Sequence, residues 1–325
     1  MALTSDEIAA RFAAIETDEA GGFSPVTPRF VRPLSEIGDS LIDALQVEQG
    51  LNLGLPQIDV LTRGFRPTDL VLITGFATSG KTQLVNTMLT NARDKRIIFF
   101  SLDDPAELIL AKLVAMQSGV SSERIEQRIG EGDAATIRLV LETARDAFPN
   151  LLIVDESLSI DQMIEAISEA EQVWGDSPDA VIIDYVEMIP HPSVDTGQRV
   201  KLLLNQLKVW ANQATYPLIV VHQGTRSNAK PGEPVTLLSL GFSGEQQATL
   251  VLGVRRKRDA EEASEHSRKT NDSTVTVHLL KNKRPGGRVT HYEGIDFHMA
   301  PETGLITPLT AAGVAARVQE RLEVA

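Results

Sequence analysis

The central part of the chain alternates short apolar segments with longer amphipathic or polar ones. Beyond Asp69 this alternation predicts five β-strands separated by helical stretches. The predicted strands are Leu70–Thr74, Ile97–Ser101, Leu151–Val154, Val181–Asp184 and Pro217–Val221. Strands that alternate with helices form a largely parallel sheet with both faces covered. We therefore predict an α/β fold for this region.

The pattern changes beyond residue 248, where strand-like segments follow one another without intervening helices. The three segments are Thr249–Val254, Ser273–Leu280 and Arg288–Tyr292. Between the first two, Arg255–Asp272 carries charges of both signs and almost no apolar residue, which predicts a mobile loop. We expect an antiparallel β extension on the C-terminal side of the parallel sheet.

The ends of the chain differ from its centre. A short helix is predicted at Ser5–Ile15, followed by a linker that contains glycine and proline. Between Leu34 and Leu45, apolar residues recur at helical spacing, so this amphipathic helix must pack either on its own domain or on a neighbouring subunit. The expected organisation is an N-terminal arm at 1–33, a linker helix at 34–50, the main domain at 51–309 and a surface helix at 310–325.

Composition and charge narrow the functional classes. Of the 325 residues, 42% are hydrophobic and 23% are charged, which fits a globular protein. Cysteine is absent, which excludes disulfides, thiolate zinc sites and a cysteine nucleophile, and fits a reducing, cytoplasmic location. No apolar run approaches the roughly 20 residues that a membrane span needs. The net charge of −13 means that any contact with nucleic acid must be a local basic feature.

A phosphate-binding motif follows the first predicted strand. It matches G-x-x-x-x-G-K-[ST] between a strand and a helix, the context that this motif requires. Its glycines let backbone N–H groups and the helix N-terminus face a polyphosphate, while the lysine reaches the β- and γ-phosphates and the threonine is a ligand for Mg²⁺. The motif consists of Gly75, Phe76, Ala77, Thr78, Ser79, Gly80, Lys81 and Thr82. We predict a site for ATP and Mg²⁺.

Such a site also needs an aspartate at the end of a nearby strand, which holds Mg²⁺ through its water shell. Asp184 and Asp155 both follow apolar strands, and spacing alone does not decide between them. Asp155 lies close to Ser157, Ser159 and Asp161, which crowd the start of the next predicted helix and favour a capping role for it. We therefore favour Asp184.

Hydrolysis additionally requires a carboxylate that orients or deprotonates the attacking water. Asp103 and Asp104 follow the second predicted strand. Asp104 precedes Pro105, and Glu107 comes three residues after Asp104, which predicts that Asp104 caps a helix whose first residue is proline. This leaves Asp103 as the candidate catalytic carboxylate.

Several motifs in one order resemble the ATPase domain of the DnaB-type replicative helicases, a branch of the RecA-like P-loop ATPases. The resemblance runs from about Leu34 to Phe297. It is carried by the phosphate loop together with Gly54–Asp59, Phe65–Leu70, Phe100–Pro105, Val181–Tyr185, His222–Gln223 and Leu280–Gly287.

The resemblance implies roles for individual residues. Asp184 would be the Mg²⁺-associated aspartate, and Gln223 would sense the γ-phosphate. The family usually has glutamate where Asp103 stands, which implies slow hydrolysis. The family's lysine-x-arginine pair, which enters the neighbouring subunit's site, corresponds to Lys281-Asn282-Lys283 with an arginine one place later, so that Lys283 and Arg284 are both candidates.

The resemblance also implies partners. It predicts a homo-oligomer, a hexameric ring that uses ATP to move along single-stranded DNA, with a loader or primase as a possible partner. We expect the family's helical primase-docking domain to be missing, which would suit a phage or mobile-element replication protein. Two alternatives stay open: a recombination ATPase that forms filaments like RecA or RadA, and a nucleotide-gated loader factor with weak hydrolysis.

The DNA-facing loops implied by the resemblance are Glu187–Lys201 and Gly224–Gln247. Neither contains Trp or Tyr, which indicates backbone tracking rather than base stacking. A further basic cluster at 255–258 is a candidate contact or a solvated loop. The cations of the two loops are Arg199, Lys201, Arg226 and Lys230.

Overall fold

The structure is a computed structural model that describes residues 50–192, 195–224, 235–237, 246–256, 273–290 and 294–309, with four helical positions near the N-terminus. These four are Leu34, Ile37, Gly38 and Ile42. They belong to a compact unit, Met1–Glu48, that is distinct from the unit Gln49–Ala325. The predicted helices at Ser5–Ile15 and 310–325 and the loop at 257–272 lie outside the described residues. The predicted domain boundaries stay predictions.

In the described part of the larger unit, nine strands form one sheet in the order β3-β2-β4-β5-β1-β6-β7-β8-β9. The strands from β3 to β6 in this order are parallel, and β7, β8 and β9 continue the sheet in antiparallel pairs. The predicted parallel sheet with an antiparallel extension is confirmed. The strands are β1 Leu70–Gly75, β2 Ile97–Ser101, β3 Leu151–Val154, β4 Ala180–Asp184, β5 Leu218–Gln223, β6 Leu250–Arg256, β7 Thr274–Asn282, β8 Ile295–Met299 and β9 Ile306–Pro308.

Helices cover both faces of the parallel strands. Alternate residues of β1 enter opposite cores: Val71 and Ile73 pack in one cluster with residues of α2, and Leu70 and Leu72 pack in another with residues of α7. Burial on both faces explains why the strands are continuous apolar runs. No helix in the described ranges is long and apolar enough to span a membrane. The helices are α1 Pro56–Thr62, α2 Lys81–Asn91, α3 Ala106–Ser118, α4 Ser122–Gly130, α5 Ala134–Glu142, α6 Ile160–Trp174 and α7 Thr196–Gln213.

The strand predicted at Arg288–Tyr292 is wrong for its described part, 288–290, whereas 291 and 292 lie outside the described residues. The chain at 288–290 is irregular, and the next strand, β8, begins only at Ile295. Thr290 alone makes a strand-like contact, donating its N–H to the oxygen of Leu279 at 3.0 Å. The reason lies in packing, because the side chain of Val289 is 52% exposed and this segment has no buried face to hold it in a ladder.

Candidate nucleotide site

The phosphate-binding motif forms the turn between β1 and α2. A side chain at Gly75 would lie 2.4 Å from both Ser79 Oγ and the oxygen of Val254, so only glycine fits there. Gly80 has a φ of +96°, in the left-handed region that glycine enters without strain. Lys81 follows as the first residue of α2, and its Nζ donates to the oxygen of Phe76 at 2.9 Å, across the turn. The Lys81 side chain therefore folds back across the turn and binds its backbone.

Asp184 meets this turn from another strand. It ends β4, which is separated from β1 by β5, and its Oδ2 accepts a hydrogen bond from Thr82 Oγ1 at 2.8 Å. The Asp184 side chain is buried, and burial raises its pKa to about 6 although the Thr82 hydroxyl and the Lys81 charge act in the opposite direction. Burial likewise lowers the pKa of Lys81, opposed by the charges of Asp184, Glu187 and Asp103. Lysine, threonine and aspartate thus share one buried polar site.

The residues present fit a phosphorylated ligand with a divalent cation. A hydroxyl and a carboxylate oxygen, adjacent in space, are the ligands that Mg²⁺ prefers beside phosphate oxygens and water. In the described ranges no group of three or more histidine and carboxylate side chains could hold a metal by itself. A cation bound beside Thr82 and Asp184 would therefore depend on oxygen ligands that the nucleotide and water provide.

Asp103 and Asp104 follow β2, the strand next to β4, and the structure separates their environments. Asp103 is exposed, and its charge acts on both Lys81 and Asp184, whereas the charge of Asp104 acts on Asp184. Asp104 is only partly exposed and forms an ion pair with Lys112 of α3. Asp103 is therefore the carboxylate of this loop that stays open toward the turn.

The prediction that Asp104 caps α3 is wrong. Pro105, in an extended conformation, is the residue that precedes the helix, and it makes no side-chain cap. The first N–H of the helix, that of Ala106, is instead donated to Asp155 Oδ2 at 2.9 Å. Asp155 therefore caps α3 across the sheet edge from β3, whereas Ser159 caps α6 with a capping box.

Gln223 lies at the exposed end of β5, beside the end of β1. Its N–H is donated to Glu187 Oε1 at 2.9 Å. The neighbouring His222 is buried and lies between Glu187 and Thr74, with Nε2 3.5 Å from Glu187 Oε1 and Nδ1 3.3 Å from Thr74 Oγ1. Sequence reasoning placed Glu187 only at the start of a loop. Its single signal was a lone carboxylate within the apolar run Val186–Ile189.

The turn after β7 distinguishes the two candidate cations. Arg284 forms an ion pair with Asp69 in which the two side chains are 7% and 8% exposed, so it acts within its own subunit. Arg63 also binds this turn, donating from Nη2 to the oxygen of Pro285 at 2.9 Å. Lys283 is exposed, and its Nζ donates to the oxygen of Gln246 at 2.7 Å. Only Lys283 keeps the exposure that a cation shared with a neighbouring subunit would need.

The candidate DNA-facing cations are only partly described. Arg199 is half-buried and donates from Nη2 to the oxygen of Glu187 at 3.1 Å, and Lys201 is exposed on α7. Arg255 and Arg256 continue β6 and pair with β7, so this part of the basic cluster is not a loop. Arg226, Lys230, Lys257 and Arg258 lie outside the described residues.

The parallel sheet and the phosphate turn between β1 and α2 together define an α/β domain of the P-loop class. The chain belongs to the DnaB-like helicase C-terminal domain family, whose model matches residues 50–293.

Curated relatives agree with this family. The chain is 27% identical over 254 residues to the replicative DNA helicase DnaB of Pasteurella multocida, covering 74% of this chain and 52% of that protein. It is 27% identical over 260 residues to the DnaB of Mycoplasma genitalium, covering 74% and 53% of the two chains. The chain thus spans about half the length of the curated relatives it matches.

Two solved structures share the fold. One is described as an ATPase domain, with a TM-score of 0.68 and 18% identity over 85% of this chain and 97% of that chain. The other is described as a DnaB-like replicative helicase and its interactions with primase, with a TM-score of 0.70, 19% identity and coverage of 94% and 71%. At these identities the likeness shows the fold alone.

Proposed function

We propose that this chain is the motor of a ring-forming helicase that hydrolyses ATP to move along single-stranded DNA during replication. The observation that carries the proposal is the hydrogen bond between Thr82 and Asp184 beside Lys81. It joins the phosphate turn to a strand-end carboxylate, the arrangement that nucleotide hydrolysis by P-loop proteins requires. The relatives' name, replicative DNA helicase, supports DNA unwinding as the use of that hydrolysis.

Each residue of the site has one task in this proposal. Lys81 would place its charge against the β- and γ-phosphates, and Thr82 and Asp184 would hold Mg²⁺. ATP and Mg²⁺ together supply the phosphoryl group and the cation that neutralises its charge. Asp103 orients the attacking water, and Gln223 detects whether the γ-phosphate is present.

The proposed assembly is a hexameric ring in which Lys283 reaches the nucleotide held by the next subunit. Developing charge on the phosphoryl oxygens needs cations, and one supplied by a neighbouring subunit can raise the rate by about 10³–10⁵. Lys283 is the exposed candidate of the turn, because Arg284 is committed to Asp69. The proposed ring moves along single-stranded DNA, and a loader or primase is the further proposed partner.

The test compares two strand-end aspartates and the P-loop lysine. We expect Lys81→Ala and Asp184→Asn to reduce DNA-stimulated ATPase activity by at least about 10³-fold, because each removes a contact to phosphate or cation. Asp155→Asn is the matched control, and it should cost only about 1 kcal/mol of stability, as for a weakened helix cap. Steady-state hydrolysis and thermal unfolding of each variant give the two quantities.

Normal ATP hydrolysis by Lys81→Ala would contradict the proposal, and so would loss of hydrolysis in Asp155→Asn. Unwinding of a forked duplex separates a helicase from the alternatives. Strand exchange without unwinding would support a recombination ATPase, and nucleotide binding without turnover would support a loader factor.

A further inference from the structure

Glu187 occupies an unusual position at the edge of the sheet. It lies in the short 3₁₀ turn Val186–Met188 directly after β4, and its side chain is only 16% exposed. The carboxylate is directed toward the end of β5, where Oε1 accepts the N–H of Gln223 at 2.9 Å. A carboxylate therefore binds the backbone of the residue proposed to sense the γ-phosphate.

The register of the sheet explains why this backbone group needs an acceptor. The pairing between β4 and β5 ends at Ile183 with Val220, and β4 itself ends one residue later, whereas β5 continues to Gln223. On its other side β5 stays paired with β1 as far as Gln223, and Gly224 donates its N–H to the oxygen of Gly75. Glu187 thus replaces the backbone carbonyl that the shorter β4 does not supply.

The Glu187 carboxylate is also linked, through His222, to the residue that precedes the phosphate turn. Glu187 Oε1 lies 3.5 Å from His222 Nε2, and His222 Nδ1 lies 3.3 Å from Thr74 Oγ1, immediately before Gly75. His222 is buried, and burial lowers its pKa to about 4, so the ring is neutral near pH 7. Polar contacts therefore connect the segment after β4, the end of β5 and the residue that begins the phosphate turn.

The contact with Gln223 needs only an oxygen acceptor from Glu187, because the donor is a backbone N–H. Oε2 is buried without a hydrogen-bond partner in the described part of the chain. Burial raises the pKa of Glu187 to about 7. An oxygen acceptor at the position of Oε1 is the feature that the geometry requires.

We propose that Glu187 is a positioning residue, which fixes the end of β5 through the N–H of Gln223 so that this side chain is held at the nucleotide edge. The inference rests on the proposed function, since it concerns the γ-phosphate sensor. Misplacing a catalytic group by about 1 Å can reduce turnover by about 10²-fold, so a single lost backbone contact has a measurable effect.

Four variants of the 325-residue chain test the proposal through kcat and KM for ATP, measured with Mg²⁺ and single-stranded DNA. Glu187→Ala removes the acceptor and should lower kcat by about 10-fold with KM within about 2-fold of the wild type, because the phosphate turn is intact. Glu187→Asp moves the acceptor oxygen back by one methylene and should also lower kcat. Glu187→Gln retains an amide oxygen and should keep kcat within about 2-fold. Gln223→Ala removes the group through which Glu187 acts.

The decisive measurement is the double-mutant cycle. In the Gln223→Ala background, Glu187→Ala should lower kcat no further, because residues that act through one another are not additive. If Glu187→Ala does not fold, Glu187→Asp takes its place in the cycle. Thermal unfolding of each variant separates a loss of positioning from a loss of fold.

Three results would overturn the proposal. Additive losses in the cycle would mean that Glu187 acts elsewhere, and a Glu187→Gln variant as slow as Glu187→Ala would mean that its charge or proton matters. Normal kcat in Gln223→Ala would leave Glu187 nothing to act through and would also refute the sensor assignment. Failure of the proposed function itself has a different signature, since Lys81→Ala would then hydrolyse ATP normally.

Discussion

The edge of the parallel strands and the turn at 283–289 both concentrate charged residues, but they neutralise them differently. At the parallel edge, Asp184 and Glu187 are buried with pKa values raised to about 6 and 7, and their charges surround Lys81. In the turn, Arg284 is paired with Asp69, whose Oδ2 also accepts the N–H of Arg66. At the parallel edge, the carboxylates and Lys81 remain available to a ligand. In the turn, Arg284 is neutralised by Asp69 of the same chain.

This difference indicates how each region uses its residues. Burial disfavours charge at the parallel edge, so a ligand that brings a cation and phosphates would stabilise the ionised carboxylates and the lysine. The Arg284–Asp69 pair instead anchors the turn to the segment before β1 and leaves Lys283 as the exposed cation. Charge-rich segments of one sequence therefore serve binding in one place and architecture in the other.

The largest effect on this comparison is expected from Asp103. Asp103→Asn should reduce ATP turnover by about 10²–10⁴-fold and leave nucleotide binding intact, because it removes the carboxylate that orients the water. Asp104→Asn is the matched control, one residue away, and should keep turnover because Asp104 is paired with Lys112. Single-turnover hydrolysis with a separate measurement of nucleotide binding checks both variants.

Asp103→Glu sharpens the same prediction, since a longer side chain should raise the rate if reach limits hydrolysis. Normal turnover in Asp103→Asn, with slow turnover in Asp104→Asn, would reverse the assignment of the two carboxylates.

A smaller effect is expected from substitutions of Arg284 and Lys283, the two cations of the turn. Arg284→Met should lower the free energy of unfolding by about 3 kcal/mol, because it leaves Asp69 as an unpaired buried charge. Lys283→Met should not change stability but should lower the ATPase activity of the assembled protein. Chemical denaturation gives the first quantity, and steady-state hydrolysis gives the second.

Mixing supplies the control for Lys283. Lys283→Met and Lys81→Ala, each with little or no activity alone, should regain partial activity in mixed rings, because some interfaces then combine an intact Lys283 with an intact phosphate turn. Activity that stays absent in the mixture, or a dilute monomer as active as the assembled protein, would show that Lys283 does not act between subunits.

The smallest effect concerns pH and the parallel edge. The pKa of Glu187 is about 7 in the folded protein against 4.5 for an ordinary glutamate, so the folded state binds this proton more tightly. Its contribution to stability is therefore full below about pH 4.5 and is lost as the pH rises through about 7, a change on the order of 3 kcal/mol. Glu187→Gln should remove this dependence.

Unfolding free energies of the nucleotide-free wild type and Glu187→Gln, compared between pH 5 and pH 8, give the measurement. We expect the difference between the two proteins to move in favour of Glu187→Gln as the pH rises. A constant difference would mean that the carboxylate is not buried as the structure shows.

The sequence by itself determined the parallel half of the sheet and the phosphate turn. The predicted strands at Ile97–Ser101 and Leu151–Val154 have the observed bounds, because each is a continuous apolar run; the first is fully buried and the second, at the sheet edge, is half-buried. The motif from Gly75 to Thr82 is equally local, since its shape depends on its own glycines and on the strand and helix beside it. Local chemistry was sufficient wherever neighbouring residues set the conformation.

Only the tertiary structure decided which strand-end residues meet. Asp184 and Asp155 have similar surroundings in the sequence, but the strand order brings Asp184 to Thr82, while Asp155 caps α3. Arg284 binds Asp69, which is 215 residues away in the chain, and Glu187 binds Gln223, 36 residues away. Such contacts depend on strand order and register, which are set by packing of the whole sheet and leave no signal in the residues nearby.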